Sequence, residues 1–490
     1  MRKEIRFLLG SETRVLRAVD PTMTVLDYLR RVEGLVGTKE GCNEGDCGAC
    51  TVVRARLVDD GLRYEAVNAC IQFVATLDGC QLLTVEHLAG KDGRLHPVQQ
   101  AMVDCHGSQC GFCTPGFVMS LFALTRHGDR APDDAAIDDA LAGNLCRCTG
   151  YAPIARAAKR MYDLEPCADE ITARAAATRT ALRALADART ISVEQGGRRF
   201  LAPATVDTLA DLALAHPGAT LVAGSTDVGL WVTKQMRRPA TVIYVGRVAE
   251  LARLEETAAG IDIGAAVTYT DAANALARHY PDMGEVIRRL GSVPIRNVGT
   301  IGGNVANGSP IGDSPPLLIA AGATLHLRCG AERRTLPLED FFLDYGKQDR
   351  RPGEFVEKIA VPMPAPGTRF RAYKISKRFD QDISAVLGAF AVRLEGGTVT
   401  AARIAYGGMA ATPKRARAVE ARLTGAAWTE ATVRAAMADM ARDFQPITDW
   451  RASADYRLRV AQNLLLRLFI ETTDPATETR LVGNRDFAHA

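Results

Sequence analysis

Four cysteines near the start of the chain have a spacing that suits an iron–sulfur cluster. Cys42, Cys47 and Cys50 form a C-x4-C-x2-C array, and Cys70 follows after nineteen further residues. This is the spacing of one plant-type [2Fe-2S] cluster, whose two irons need four soft thiolate ligands. Glycines within the array allow backbone N–H groups to approach the cluster sulfurs. A structural zinc site is the alternative, but zinc usually takes two short paired hooks, so the array favours the cluster.

A second set of four cysteines follows in sequence that reads as helical. Cys110 and Cys113 form a C-x2-C pair, and Cys146 and Cys148 form a C-x-C pair after 32 intervening residues. Spacing alone leaves both a zinc site and a second [2Fe-2S] cluster open here. Two four-cysteine sets so close in the chain nevertheless make an electron relay the simplest interpretation.

The other cysteines and the histidines carry no comparable pattern. Cys80, Cys105, Cys167 and Cys329 stand alone, which predicts inert thiols rather than ligands or disulfides. His96, His106, His127 and His216 lack a neighbouring nucleophile or carboxylate motif. We therefore expect no catalytic acid, base or nucleophile in this chain.

Two glycine-rich elements suggest a large bound cofactor. The first is an apolar run that enters a Gly-Ser-Thr turn, which suits a pyrophosphate, although such a turn is more often only a turn. Its residues are Leu221, Val222, Ala223, Gly224, Ser225, Thr226, Asp227 and Val228. The second combines paired glycines with polar side chains and comprises Thr300, Ile301, Gly302, Gly303 and Asn304, with Asp313 beyond it. The absence of a G-x-G-x-x-G fingerprint disfavours a Rossmann-type site.

The elements around these motifs predict a multidomain α+β chain. Strands are expected at 5–9, 51–57, 220–223, 242–245, 261–267, 390–394 and 402–406, and helices at 117–124, 137–145, 154–161, 430–444 and 452–471. The predicted domains are a β-rich domain at 1–80, a helical domain at 81–164, an α+β domain at 197–366 and a smaller α+β domain at 367–478. Residues 165–196, which include an Ala- and Arg-rich segment that could form a helix, are predicted to be a linker with some helical content.

Composition excludes several classes of protein. The 490 residues carry 60 Lys and Arg against 57 Asp and Glu, so bulk binding to nucleic acid is not expected. An apolar content of 47% is enough for several buried cores. The chain has no run of 18 apolar residues and no signal-like start, which predicts a cytoplasmic protein without a membrane segment.

The cysteine motifs, taken together with their neighbours, resemble the iron–sulfur region of the molybdenum hydroxylases, and among them most closely the xanthine dehydrogenases. The resemblance is carried by residues 41–50, 109–116 and 143–151. It implies a ferredoxin-like β-grasp domain, a helical-bundle domain and a [2Fe-2S] cluster in each. It also implies that Gln109 faces the pterin of a molybdenum cofactor held by another polypeptide.

The glycine-rich elements resemble the vanillyl-alcohol-oxidase-like FAD domain of the same family. By this resemblance, residues 221–228 and 300–304 contact the diphosphate and ribityl chain, and Asp313 adds a polar contact to that part of FAD. Leu290 stands where relatives often have an aromatic residue against the adenine, while Val356 and Lys374 flank the isoalloxazine ring. The loop 376–384 matches the loop that screens the flavin where NAD approaches. As an alternative, its charges form an ordinary solvated surface.

The family's substrate chemistry needs a molybdopterin region that this sequence lacks. The resemblance therefore implies a split enzyme, in which this chain relays electrons from a larger molybdopterin-binding subunit to FAD and NAD during purine oxidation. A heterotetramer of two small and two large chains is the expected assembly. The alternatives are the electron-transfer subunit of an aldehyde, carbon monoxide or aromatic hydroxylase, and a non-enzymatic zinc-bound scaffold.

Overall fold

The computed structural model describes residues 1–90, 92–128, 132–164, 170–474 and 476–480. These residues form two compact units. The first comprises Met1–Leu212, Gly218–Val248 and Ser292–Gly299, and the second comprises Ala213–Pro217, Ala249–Gly291 and the described residues from Thr300 onward. Helices and strands alternate through both units, so the predicted multidomain α+β fold is confirmed. None of the helices within these ranges has the length and apolar character that a membrane span requires.

The first unit begins with a five-stranded mixed sheet. Its strands are β1 (Ile5–Leu9), β2 (Glu12–Leu16), β3 (Thr51–Val58), β4 (Gly61–Asn68) and β5 (Gln81–Leu83), in the order β2-β1-β5-β3-β4. A short helix, α1 (Val25–Asp27), begins at Thr24, whose hydroxyl accepts a hydrogen bond from the amide of Asp27. Strand β5 lies at the centre of the sheet and pairs in parallel with β1. The sheet thus extends a few residues past the domain boundary predicted at residue 80.

A helical region follows in the same unit. Its helices are α2 (Pro97–Asp104), α3 (Thr114–Thr125), α4 (Asp134–Leu141) and α5 (Ala152–Arg160). Phe117, Phe122 and Ile154 lie in its hydrophobic core. The predicted helices at 117–124, 137–145 and 154–161 therefore exist, with ends shifted by up to four residues.

The predicted linker contains regular structure. Its described residues include α6 (Glu170–Ala173), α7 (Ala175–Leu185) and strand β6 (Ile191–Gln195), while Cys167 lies outside the described residues. Alanine-rich sequence without Gly or Pro propagates a helix, and Leu182 of α7 is fully buried. Strand β6 pairs with the next strand, so residues 191–195 belong to the sheet that follows rather than to a tether.

That next sheet completes the first unit. Besides β6 it contains β7 (Arg198–Ala202), β8 (Thr220–Val222) and β9 (Thr241–Tyr244), in the order β6-β7-β9-β8. Helix α8 (Val206–Ala215) follows β7, and helix α9 (Val228–Thr233) follows β8. Phe200 and Val222 of this sheet share one hydrophobic core with Phe7 and Cys70 of the amino-terminal sheet. Buried contacts therefore join the two sheets directly.

Within the described residues, the second unit contains three further sheets. The elements of its first part are β10 (Leu254–Glu256), β11 (Gly260–Gly264), α10 (Tyr269–His279), α11 (Pro281–Arg288), α12 (Val293–Arg296, in the first unit), α13 (Ile301–Asn307), α14 (Ser314–Ala321), β12 (Thr324–Cys329), β13 (Glu332–Pro337), β14 (Phe342–Asp344), β15 (Lys347–Gln348) and β16 (Phe355–Pro362). The larger sheet of this part has the order β10-β11-β16-β12-β13, and its core includes Ile263, Leu325 and Ile359, while β14 and β15 pair with each other.

The carboxyl-terminal sheet is antiparallel and is covered by helices. The elements are β17 (Thr368–Ile375), β18 (Val386–Glu395), β19 (Thr398–Gly407), β20 (Lys414–Arg415), α15 (Arg417–Leu423), α16 (Glu430–Asp443) and α17 (Ala454–Thr473). The strands have the order β17-β18-β19-β20. Phe390 and Leu465 lie in their shared core.

Candidate cofactor sites

The first four predicted ligand cysteines lie together and interact in pairs. Cys42 interacts with Cys47, Cys50 interacts with Cys70, and Cys42 also reaches Cys70. Cys50 and Cys70 are buried, whereas Cys42 and Cys47 are partly exposed. The loop before β3 presents Cys42 and Cys47, while the ends of β3 and β4 hold the other two. We call these four residues the first quartet.

Backbone N–H groups point at the sulfur of Cys42. The amides of Glu44, Asp46 and Cys47 donate to Cys42 Sγ at 3.4, 3.4 and 3.3 Å. Side-chain contacts with Cys47 and Cys70, together with donation from the amides of Cys47 and Glu44, lower the pKa of Cys42. Contacts with the neighbouring sulfurs and burial raise the pKa values of Cys47 and Cys70. A metal centre that binds here must displace those protons, because the ligand is the thiolate.

The other four ligand cysteines also come together in pairs and form the second quartet. Cys110 interacts with Cys148, and Cys113 interacts with Cys146. Burial and the Cys146 sulfur raise the pKa of Cys113 to about 12. Cys110 and Cys148 are exposed, so this quartet lies at the surface of the described chain. The amide of Cys146 donates to the hydroxyl of Tyr151 over 3.0 Å, which holds the C-x-C turn.

Each quartet offers the four thiols that a [2Fe-2S] cluster needs. The second quartet consists of two contacting pairs, Cys110 with Cys148 and Cys113 with Cys146. In the first quartet the two pairs are also linked through the contact between Cys42 and Cys70. A [2Fe-2S] cluster takes two thiolates on each iron, whereas zinc needs four equivalent ligands around one point.

The two quartets are joined by backbone and side-chain hydrogen bonds. The amide of Leu145 donates to the carbonyl oxygen of Cys47 over 3.0 Å. Asn144, which is 3% exposed, donates to the carbonyl of Gly48 over 3.1 Å. A Cβ on Gly48 would lie 2.2 Å from the carbonyl oxygen of Gly143, so this approach requires glycine. Sequence reasoning included Asn144 in a motif but assigned it no role.

The first glycine-rich element ends strand β8 and leads into α9. A Cβ on Gly224 would lie 1.8 Å from the carbonyl oxygen of Val298, so only glycine fits the turn. Ser225 adopts a left-handed φ of +61°, and its buried hydroxyl has no hydrogen-bond partner among the described residues. Burial raises the pKa of Asp227. An unsatisfied buried hydroxyl in a strained turn fits a polar ligand such as the diphosphate of FAD.

The second glycine-rich element opens helix α13 in the second unit. Thr300 caps this helix by accepting a hydrogen bond from the amide of Gly303 over 2.9 Å. A Cβ on Gly302 would lie 2.5 Å from Cα of Ala265, while Ile301 is buried in the core. The buried Oδ1 of Asn304 has no hydrogen-bond partner among the described residues. This oxygen can therefore accept a hydrogen bond from a bound ligand.

Two predicted flavin contacts bind each other in the structure. Lys374 Nζ donates to Asp313 Oδ2 over 2.5 Å and to Ser384 Oγ over 2.9 Å, and Ser384 donates to the other oxygen of Asp313 over 2.6 Å. All three residues are buried. Val356 and Leu290 pack in or against the core of this unit. For these residues, contact with the flavin stays a prediction.

The predicted flavin-screening loop is held in place from helix α11. The guanidinium of Arg289 lies 4.1 Å from the ring centroid of Phe379 and donates to its carbonyl oxygen over 2.7 Å. Asp382 accepts hydrogen bonds from the amides of Arg378 and Ile383 at 2.9 and 3.1 Å. The loop charges are therefore partly satisfied within the loop. Sequence reasoning missed Arg289, which lies 90 residues from Phe379.

Four family models match consecutive parts of the chain. "2Fe-2S iron-sulfur cluster binding domain" matches residues 7–75 and "[2Fe-2S] binding domain" matches 84–159. "FAD binding domain in molybdopterin dehydrogenase" matches 193–364, and "CO dehydrogenase flavoprotein C-terminal domain" matches 371–472. A solved chain of carbon monoxide dehydrogenase from Hydrogenophaga pseudoflava is 31% identical, with a TM-score of 0.52, and the match covers 94% of it and 55% of this chain.

The chain belongs to the molybdenum hydroxylase family. Xanthine dehydrogenase of Emericella nidulans is 34% identical over 90% of this chain and 36% of its own length. Xanthine dehydrogenase of Oryza sativa is 32% identical over 83% of this chain and 35% of its own length. The chain thus spans about a third of the length of these relatives. Quinoline 2-oxidoreductase from Pseudomonas putida, at 24% identity and a TM-score of 0.52, shares the fold.

Membership of the molybdenum hydroxylases explains the order of the cofactor motifs. Both cysteine quartets lie in or directly beside the two iron–sulfur matches, and both glycine-rich elements lie within the FAD match. Two [2Fe-2S] clusters and one FAD are therefore the cofactors of these domains. Contact of individual residues with FAD stays a prediction.

Proposed function

We propose that this chain is the iron–sulfur and FAD subunit of a split xanthine dehydrogenase. Electrons from purine oxidation on a molybdopterin-binding partner pass through this chain to NAD. When bound, the clusters supply one-electron carriers and FAD supplies the conversion to a two-electron hydride donor. The observation that carries the proposal is the direct Leu145 to Cys47 hydrogen bond, which links a ligand loop of one quartet to a ligand of the other.

The burial of the quartets supports an order of transfer. The second quartet has two exposed cysteines, which suits electron entry from a partner. The first quartet is more buried and adjoins the flavin-binding turn, because Gln72 donates to the carbonyl of Gly224 over 2.7 Å. Gln72 lies two residues after Cys70. This spacing leaves a short path of covalent and hydrogen bonds from that ligand to the turn.

Exposed apolar side chains near the second quartet suit a protein partner. Phe112, Leu145 and Tyr151 are 48%, 46% and 44% exposed and stand one to three residues from ligand cysteines. Gln109 beside them is also exposed and is the predicted contact to the pterin. The relatives are about three times as long as this chain, which supports a larger molybdopterin-binding subunit as partner. We propose an assembly of two small and two large chains.

The substrate assignment rests on the relatives. Xanthine dehydrogenases match both the iron–sulfur and the flavin parts of the chain, which supports purine substrates and NAD as acceptor. The carbon monoxide dehydrogenase chain, at 31% identity over 55% of this chain, favours a second candidate in which the partner acts on another substrate. Assays of the assembled enzyme with hypoxanthine, xanthine, an aldehyde and carbon monoxide distinguish the two.

The test is to purify the chain with whatever binds it and to measure its metals and flavin. We expect two irons and two acid-labile sulfides for each of two clusters, one FAD, and molybdenum on a co-purifying larger chain. Cys47→Ala should remove one of two paramagnetic [2Fe-2S] signals and leave the other. Phe112→Glu should weaken binding of the larger chain. Zinc in place of iron after anaerobic purification would overturn the relay.

A further inference from the structure

A lysine from the flavin-binding part of the first unit contacts the loop of the first quartet. Lys234 stands at the end of helix α9, and its Nζ donates to the carbonyl oxygen of Cys42 over 2.5 Å. The same Nζ lies 3.3 Å from a carboxylate oxygen of Glu44, and both side chains are 42% exposed. Neither residue is a predicted cluster ligand or flavin contact.

Buried packing fixes α9 against this quartet. A Cβ on Gly229 of α9 would lie 2.8 Å from both Cβ and the carbonyl oxygen of Ile71, the residue after Cys70. Ile71 is fully buried. Gln72 binds the turn before α9 through its 2.7 Å hydrogen bond to Gly224. The core of the unit therefore places the backbone of α9, from which Lys234 extends, beside the ligand loop.

The partner of Lys234 is itself part of the sulfur environment. The amide of Glu44 is one of the three N–H groups that donate to Cys42 Sγ. Such N–H donation tunes the potential of an iron–sulfur cluster. Lys234 thus places one positive charge beside the ligand residue Cys42. It also pairs with Glu44, whose amide donates to the sulfur of Cys42.

We propose that Lys234 is a positioning and charge-tuning residue that raises the reduction potential of the first-quartet cluster. Reduction adds one negative charge, which a nearby ammonium group stabilises and a nearby carboxylate destabilises. Lys234 therefore raises the reduction potential of the cluster and Glu44 lowers it. The net effect depends on both charges of the ion pair. The proposal rests on the proposed function only in assuming a [2Fe-2S] cluster on Cys42, Cys47, Cys50 and Cys70.

The test is a redox titration of the assembled protein, followed through the two paramagnetic cluster signals. In Lys234→Met we expect the ratio of reduced to oxidised first-quartet cluster, at a fixed potential, to fall about two- to fivefold, the size of an exposed charge interaction. Glu44→Gln should shift the ratio the opposite way, and the double variant should lie near the parent protein. Added salt should shrink each shift.

Two controls separate charge from folding. Lys234→Arg keeps the charge and should keep the potential. Lys414→Met removes an exposed lysine that donates to the carbonyl of Asp443 over 2.8 Å in the second unit, and it should leave both signals unchanged. The signal of the second quartet should not move in any variant.

The outcomes decide between the proposals. An unchanged ratio in Lys234→Met, or a shift of Lys234→Met and Glu44→Gln in the same direction, would overturn the charge-tuning role. If Lys234→Met lost its cluster, Glu44→Gln would still test the charge-tuning role. The proposal expects a raised reduction potential in that variant, so an unchanged or lowered potential would contradict it. Absence of the first-quartet signal from the parent protein would instead overturn the cluster assignment and with it the proposed function.

Discussion

The amide nitrogen of Leu145 lies 3.0 Å from the carbonyl oxygen of Cys47 and donates a hydrogen bond to it. Leu145 directly precedes Cys146, so a single hydrogen bond separates the backbones of the two quartets. Asn144, on the other side of Leu145, anchors the same junction by binding Gly48, Thr51 and Ser120. The geometry of this junction therefore determines how the two quartets face each other.

Asn144→Ala is expected to destabilise the first unit by about 1–3 kcal/mol, because it leaves buried polar partners of Asn144 unsatisfied. Urea denaturation followed by circular dichroism measures the loss. Ser108→Ala removes an exposed hydroxyl contact to Thr114 and should change the free energy of unfolding by less than about 0.5 kcal/mol. Equal effects of the two substitutions would contradict a structural role for Asn144.

Gly224→Ala should lower the FAD content while both cluster signals remain. The added Cβ would lie 1.8 Å from the carbonyl oxygen of Val298, so the turn must move. Flavin absorbance per chain after gel filtration gives the content. Gly218→Ala is the matched control, since a Cβ there meets nothing within 4 Å. Retention of full FAD in Gly224→Ala would show that this turn does not bind the cofactor.

Lys374→Met should destabilise the second unit by about 3–5 kcal/mol, because it leaves the buried carboxylate of Asp313 without its charge partner. The double variant with Asp313→Asn should recover part of that loss. Lys377→Met changes an exposed lysine of the neighbouring loop and should be nearly neutral. Thermal and urea unfolding of the four proteins measure these differences. A nearly neutral Lys374→Met would argue against a buried ion pair.

Glu65 should make the first unit sensitive to acid. Burial alone would raise the pKa of Glu65, but Arg54 and Arg56 lower it from 4.5 to about 2. A lowered pKa stabilises the fold above the unfolded value of 4.5 and ceases to do so as the pH falls towards 2. About 3 kcal/mol should be lost over that window. Glu65→Gln should be less stable at neutral pH but lack this acid-dependent loss, as urea titrations across the window would reveal.

Asp382→Ala should slow NAD reduction while leaving cluster reduction by substrate nearly intact. Asp382 accepts hydrogen bonds from the amides of Arg378 and Ile383, so its removal loosens the predicted flavin-screening loop. Rapid mixing of the assembled enzyme with substrate, first without and then with NAD, separates the two steps. Arg434→Ala, which removes an exposed ion pair on α16, is the control. An unchanged NAD step would mean that the loop is only a solvated surface.

Local sequence was sufficient for the strands and helices that it predicted, although it left many other elements unpredicted. The strand predicted at 5–9 is β1, and the helix predicted at 430–444 is α16, Glu430–Asp443. Hydrophobic periodicity and capping residues such as Thr429 act within a few residues, so they can be read without the fold. The strand predicted at 261–267 ends earlier, at Gly264, where its pairing with β16 stops. An end set by a distant partner strand is not encoded locally.

The two cysteine quartets and the glycine-rich elements were likewise determined by the sequence, because ligand type and short spacing are local properties. The tertiary structure alone decided how residues far apart in the chain combine. Asn144 meets Gly48 across 96 residues, Lys374 meets Asp313 across 61, and Lys234 meets Cys42 across 192. Each contact depends on which buried surfaces pack together, so no periodicity or spacing in the sequence predicts it. The sequence therefore predicted the cofactor ligands, and packing decided which polar groups lie beside them.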